Sequence, residues 1–210
     1  RVLPTAMGVK LANPELTVIA VGGDGDGLAI GGGHFPHACR RNVDITYLML
    51  DNNIYGLTKG QFSPTSLLSE TTSSTPYGNI EADLDPILLA LTYNATFVAR
   101  AFSGVPAQMT SLITQAMQHK GFSFIQVISP CLTFAYPYDY YAPKTKIIPE
   151  DHDPTDRMKA LQLAMDREAL YIGLFYHNPD APDFSAKLDA LKEKASQRGK
   201  GDIQSILARF

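Results

Sequence analysis

Between residues 16 and 53 the sequence places a glycine-rich turn between two apolar runs, and nothing else in it restricts the fold so strongly. The run Leu16-Thr-Val-Ile-Ala-Val21 leads straight into GGDGDGLAIGGG (22–33), and a second run, VDITYLML (43–50), ends at Asp51-Asn52-Asn53. A short, near-continuous apolar run bounded by turn residues reads as a strand buried on both faces of a parallel sheet. Residues 27 to 41 can form a helix between the two. The result is a strand–helix–strand unit, whose crossover is right-handed in nearly every known case.

The same alternation continues on either side of this unit. Residues 2–12 read as a helix stopped by Asn13-Pro14. A long Gly/Ser/Thr/Pro segment follows the second strand over 52–82, and long irregular loops in compact domains are usually functional. Then come a helix from Pro86, a strand over 96–101, a helix over 105–119 and the strand FSFIQVIS at 122–129. Strands alternating with helices argue for an α/β fold, a mostly parallel sheet flanked by helices. From Tyr136 the character changes to a proline- and tyrosine-rich stretch. A helix over 156–169, the apolar ALYIGLF and an amphipathic helix over 183–198 follow it. This divides the chain into a main domain, 1–135, and a C-terminal extension, 136–210, packed on that domain or on a partner.

Composition removes several classes of function. The net charge of −3 offers no basic surface to nucleic acid or to an anionic membrane. No apolar run approaches the roughly 20 residues that span a bilayer. Two cysteines, Cys39 and Cys131, are too few for a secreted disulfide scaffold. No signal peptide is visible, and a reducing, cytoplasmic setting is expected. The chain opens at Arg1, inside what reads as a helix, so an upstream segment is also expected.

The glycine loop poses a chemical question. A Gly-rich turn from strand to helix directs free backbone N–H groups at an anion, yet this one carries Asp24 and Asp26. In an open α/β sheet, ligands sit at the carboxyl ends of the strands. Asp24 and Asn52 both lie there, 28 positions apart, about one crossover. A carboxylate, an amide oxygen and a nearby backbone carbonyl suit Mg²⁺, which takes one or two protein carboxylates together with the phosphates of a ligand. On this reading the glycines hold a diphosphate and Asp24 holds the metal that neutralises it. A nicotinamide loop would need G-x-G-x-x-G, and a P-loop would need Gly-Lys-Ser/Thr. Neither pattern closes, and no lysine stands between Lys10 and Lys59.

A GDG followed about 28 residues later by Asn resembles the metal-diphosphate motif of thiamine diphosphate enzymes. GGDGDGLAIGGGH, RRNVDITYLMLDNNIYGLTKGQFSPTS and ISPCLTF together resemble the β subunit of 2-oxoacid:ferredoxin oxidoreductases, especially the two-subunit kind acting on 2-oxoglutarate or broadly on 2-oxoacids. HDPTDR (152–157) and GLFYHNP (173–179) are similar to that family's C-terminal region.

The resemblance implies the thiamine diphosphate-binding fold, with Asp24, Asn52 and the Ile54 carbonyl as Mg²⁺ ligands. It implies that Gly23, Gly25, Asp26, Gly56 and Leu57 line the diphosphate and thiazolium, and that Thr58 adds a hydroxyl. Leu57 and Lys59 would face the substrate, with Lys59 holding a 2-oxoacid carboxylate. Cys131 matches the fourth ligand of a [4Fe–4S] cluster whose other three cysteines belong upstream of Arg1. A cubane needs four thiolates, so the cluster is expected in the full-length chain only. The implied partners are an α subunit, which supplies the carboxylate that activates the cofactor, and ferredoxin. The implied co-substrates are a 2-oxoacid and coenzyme A.

Plainer roles compete at several of these positions. Asp26 suits a helix N-terminus, Asp51 a strand end, Cys39 a helix core, and Lys59 a solvated loop. His34 and His37 are spaced for metal but read as packing or helix-surface residues. The tyrosines at 136, 138, 140 and 141 suit a partner interface or a packed loop. A thiamine enzyme without the ferredoxin step, such as a non-oxidative decarboxylase or synthase, would share the GDG…N logic while leaving Cys131 unexplained. A catalytically inactive cofactor-binding module is a further alternative.

Overall fold

A computed structural model of the chain describes residues 1–197 and 203–208. Six strands form one sheet in the order β1-β2-β6-β5-β8-β7. β1 (Ile19–Gly23), β2 (Ile45–Asp51), β6 (Phe122–Ile128) and β5 (Phe97–Phe102) run parallel to one another. β8 (Leu170–His177) then pairs antiparallel with β5, and β7 (Thr145–Ile147) runs parallel to β8. A small hairpin, β3 (Ile54–Tyr55) with β4 (Gln61–Phe62), stands apart.

The helices fall on two faces. α1 (Val2–Ala12), α2 (Phe35–Arg41), α3 (Pro86–Thr92) and α6 (Arg157–Met165) neighbour one another on one face, and α4 (Pro106–Gln118) packs against β5 and β6. Phe35, Tyr47, Met49, Phe122, Phe124 and Phe175 fill the first layer, and all are fully buried. Phe97, Ala99, Leu112, Ala116, Ile125 and Val127 fill the layer beneath α4. Burying this apolar surface is the main force holding such layers together. Two capping aspartates fix helix starts: Asp85 accepts from the N–H groups of Ile87 and Leu88, and Asp156 from those of Met158 and Lys159.

Several expectations are corrected. β1 is the outer strand of the sheet, and Ile19 and Val21 are about half exposed, 42% and 50%, so this strand is not buried on both faces. The helix expected over 27–41 is broken. A π-helical turn over Asp26–Ile30 is followed by Gly31-Gly32-Gly33 before α2 begins, because consecutive glycines lose too much backbone entropy to continue a helix. The long segment after β2 contains the hairpin and then a loop crossed by hydrogen bonds from Ser63, Ser66, Thr75 and Asn79.

Within the C-terminal extension, β8 pairs directly with β5 of the main sheet, and the one-turn α5 (Tyr138–Tyr141) precedes β7. α6 ends at Met165, short of residue 169, and the apolar stretch that follows becomes β8. α7 covers Phe184–Gln197, and residue 198 of the helix expected there lies outside the described residues, as do 199–202 and 209–210 of the extension.

Candidate functional site

The parallel register assembles the site. Gly23 pairs with Leu50 and Asp51 with Ile128, so the residues just past β1 and β2, Asp24 and Asn52, emerge side by side at the carboxyl edge. Asp24 and Asp51 are each only 2% exposed. The Thr65 hydroxyl bridges them, 2.8 Å from Asp24 Oδ2 and 2.9 Å from Asp51 Oδ1. Asp51 Oδ2 accepts from Gln126 Nε2 at 2.7 Å, and its Oδ1 also accepts from the Asn53 N–H at 3.2 Å.

One hydroxyl proton serves two carboxylates here. Among the described residues, neither aspartate makes an ion pair. Burial pushes the Asp24 carboxyl above its usual range, opposed by hydrogen bonds from Ser63, Thr65 and the Asn52 backbone. Asp51 is pushed up to about 7, first by burial and then by the Asp24 charge beside it. A buried carboxylate pair without a cation is costly unless a proton or a metal neutralises it.

The adjoining turn supplies the other oxygens. Asn52 Oδ1 accepts the Ile54 N–H at 3.1 Å, which closes a tight turn, and among the described residues no backbone N–H outside the hairpin pairing donates to the Ile54 carbonyl. Asn53 takes a left-handed φ of 59°, and its side chain is pinned at both ends. Its Nδ2 donates to the Thr65 carbonyl at 2.7 Å, and its Oδ1 accepts from the Tyr141 hydroxyl at 2.5 Å.

The glycine loop is closely approached. A Cβ on Gly25 would collide with the Tyr55 ring, whose hydroxyl donates to the Gly25 carbonyl, and a Cβ on Gly27 would collide with the Tyr47 hydroxyl. A Cβ on Gly56, in contrast, would lie 3.9 Å from Asn52 Nδ2 and 4.0 Å from Cys131 Sγ. Cys131 is thus brought next to the same turn, as a half-buried free thiol.

The donor set fits a hard divalent cation: one carboxylate without a counter-charge, one amide oxygen and one carbonyl beside a bare glycine loop. No group of three His, Cys, Asp or Glu among the described residues could hold a metal by itself, so a cation here would complete its shell with amide, carbonyl and ligand oxygens.

The structure separates the other residues singled out in the sequence. Leu57, Thr58 and Lys59 are exposed at the tip of the β3–β4 hairpin, Leu57 almost completely at 99%. Lys59 has a left-handed φ of 74°, and Thr58 and Gln61 bond across the turn. Asp26 is half-buried in the π turn. Cys39 is fully buried in the core, and burial raises its thiol pKa far above the usual range. Sequence reasoning missed Thr65, Gln126 and Arg100. The last two are polar residues inside largely apolar strands, which marks the positions as unusual but not their partners.

Comparison with known proteins identifies the family. A family model described as thiamine pyrophosphate enzyme, C-terminal TPP binding domain, matches residues 1–127. A second, for the C-terminal part of the pyruvate ferredoxin oxidoreductase β subunit, matches 131–193. The chain belongs to the β subunits of the 2-oxoacid:ferredoxin oxidoreductases. It is 43% identical over 192 residues to the 2-oxoacid:ferredoxin oxidoreductase subunit beta of Saccharolobus solfataricus, covering 85% of this chain and 63% of that one. It is 36% identical over 197 residues to the 2-oxoglutarate synthase subunit KorB of Methanocaldococcus jannaschii, covering 92% and 73%.

Among solved structures, a 2-oxoglutarate:ferredoxin oxidoreductase from Magnetococcus marinus, with 2-oxoglutarate, coenzyme A and succinyl-CoA bound, superposes with a TM-score of 0.89 at 44% identity. That match covers 98% of this chain and 71% of the other. The chain thus spans about two thirds of the length of such β subunits. No described helix is long and apolar enough to cross a membrane.

Proposed function

We propose that this chain, as a β subunit, binds Mg²⁺-thiamine diphosphate and serves the coenzyme A-dependent oxidative decarboxylation of a 2-oxoacid, 2-oxoglutarate in preference to pyruvate. The carrying observation is the buried Asp24–Thr65–Asp51 bridge at the mouth of the glycine loop, whose two carboxylates make no ion pair among the described residues. Asp24, the Asn52 amide oxygen and the Ile54 carbonyl would hold the metal, and the loop from Gly23 to Gly27 would receive the diphosphate. Bound there, thiamine diphosphate supplies the electron sink for decarboxylation.

The chain's own residues position that cofactor. Tyr55 braces the Gly25 carbonyl. Asn52 closes the turn that presents Ile54. Leu57, Thr58 and Lys59 project from an exposed hairpin, which leaves them open to enclosure by an α subunit, and there Lys59 would meet the substrate carboxylate. Cys131, beside Gly56, would ligate the [4Fe–4S] cluster of the full-length chain and so set the electron exit toward ferredoxin close to the cofactor turn.

The 2-oxoglutarate preference rests on the KorB-type relatives and on the bound 2-oxoglutarate of the structural neighbour. The test is anaerobic viologen reduction by the full-length chain with its α subunit and coenzyme A, comparing 2-oxoglutarate with pyruvate. Reduction that requires both oxoacid and coenzyme A is the expected result, faster with 2-oxoglutarate. A complex loaded with thiamine diphosphate and iron that reduces nothing would overturn the reading.

A further inference from the structure

Behind the two aspartates runs a continuous buried chain of side chains that crosses three strands. Asp85, the N-cap of α3, pairs with Arg100 of β5, Oδ2 to Nη2 at 3.3 Å. Arg100 Nε donates to Gln126 Oε1 of β6 at 2.6 Å. Gln126 Nε2 donates to Asp51 Oδ2 at the end of β2 at 2.7 Å. Through Thr65 the chain reaches Asp24. Arg100 and Gln126 are 5% and 4% exposed, Arg100 in a strand that is otherwise apolar and Gln126 in one whose only other polar residue is Ser123.

The direction of this chain is fixed by chemistry. A guanidinium only donates, so Arg100 assigns the oxygen end of the Gln126 amide to itself. The NH₂ end must then face Asp51, the one carboxylate in reach that needs a donor. With Oδ2 of Asp51 occupied, its Oδ1 turns to Thr65 and the Asn53 N–H. Thr65 in turn touches Asp24 through Oδ2, which limits the rotation of that carboxylate. A cavity of about 390 Å³ runs along the chain, with Arg100, Gln126, Asp85, Asp51 and Tyr141 among its lining residues. Neither Asp24 nor Asn52 lines it, but Asn53 of the candidate metal turn and Thr65 do, so the cavity reaches the back of that turn.

We infer that Arg100 and Gln126 are positioning residues for the cation site: they orient Asp51 and, through Thr65, hold Asp24 in the rotamer that binds metal. The inference rests on the proposed Mg²⁺-diphosphate site. Groups behind a metal ligand set its orientation, and removing one typically costs about 10–100-fold in metal affinity. Arg100 and Gln126 act at one remove more than such groups, so the lower end of that range applies.

The test uses the full-length β subunit with its α subunit, titrated with Mg²⁺ at saturating thiamine diphosphate, with binding read by intrinsic fluorescence or calorimetry rather than turnover. Gln126→Leu fills the space without a donor, and the Mg²⁺ concentration at half-saturation is expected to rise about tenfold. The melting temperature of the cofactor-free complex reports any purely structural loss. Gln126→Glu keeps the acceptor for Arg100 but puts a carboxylate against Asp51, and it is expected to fail to restore binding.

If Gln126→Leu does not fold, Arg100→Lys decides on the same readout, since it keeps a charge beside Asp85 but loses the Nε–H that orients Gln126. An unchanged Mg²⁺ half-saturation in the folded variant overturns the inference while the wild-type titration stands. A wild-type complex that binds thiamine diphosphate without Mg²⁺ overturns the metal-site reading and this inference with it.

Discussion

Two polar clusters are buried against this sheet, one at each end of its strands, and they differ in how their charge is closed. At the amino ends, Asn42 holds the left-handed φ of 57° and its Oδ1 accepts from the Thr96 hydroxyl at 2.7 Å and the Phe122 N–H at 2.8 Å. Asn42 Nδ2 donates to the Pro182 carbonyl at 3.1 Å. Thr96 lies 2.7 Å from His119 Nε2, and His119 Nδ1 lies 3.2 Å from His177 Nε2. Because Thr96 donates to Asn42, it accepts from His119, whose other nitrogen is then free to accept from His177. Each of these polar atoms has a hydrogen-bond partner, and no charge is required. At the carboxyl ends, two carboxylates share one hydroxyl. The first cluster closes as a fastener without a charge, whereas the second holds two buried carboxylates that make no ion pair among the described residues, the feature on which the proposed cation site rests.

The sharpest break in that contrast is Asp24→Ala. It should abolish Mg²⁺-dependent thiamine diphosphate binding in the full-length complex while leaving the cofactor-free protein no less stable, because it removes a buried charge. Calorimetric titration and a denaturant curve measure the two halves, and unchanged affinity would sink the assignment. At the other end, Asn42→Ala should cost about 3 kcal/mol, from two buried and one part-buried hydrogen bonds at about 1 kcal/mol each. Asn42→Gly, which recovers the left-handed backbone, should recover part of the loss. Equal stability for all three proteins in urea would mean the fastener does not fasten.

The two ends also respond differently to pH. Burial first, and then the neighbouring His177, lower His119 from an ordinary 6.5 to about 4, against a smaller opposing pull from Asp44. A depressed histidine favours the folded state above its unfolded value, and that contribution is lost as the pH falls from about 6.5 toward about 4. His119→Gln, which keeps a donor for Thr96, should flatten the stability profile across that window. Denaturation midpoints at pH 7 and pH 4.5 test it, and parallel profiles would count against it. The smallest effect belongs to neither cluster: Asp156→Ala, removing the cap of α6, should cost about 1 kcal/mol, visible as a small shift in melting temperature.

Much of the fold was legible because its signals are local. The strands at 45–51, 97–102 and 122–128 are apolar runs with turn residues at both ends, and a run of that kind declares itself without reference to the rest of the chain. Asp24 and Asn52 were legible as a pair because one crossover sets their spacing and adjacent parallel strands set their register. Thr65, Gln126 and Arg100 were not assigned, since their roles depend on partners 41, 75 and 15 positions away that no period connects.

By itself, then, the sequence determined that this is an α/β chain with a glycine loop, a carboxylate and an amide oxygen at neighbouring strand ends. Backbone propensity, hydrophobic run length and crossover length are properties of contiguous residues. Only the tertiary structure decided that β1 lies at the edge, that β6 sits between β2 and β5, and that β8 closes on β5 in the opposite sense. Strand order is chosen by which layers bury most apolar surface together, a sum over the whole chain. That order places Gln126 beside Asp51 and leaves Leu57 and Lys59 in the open.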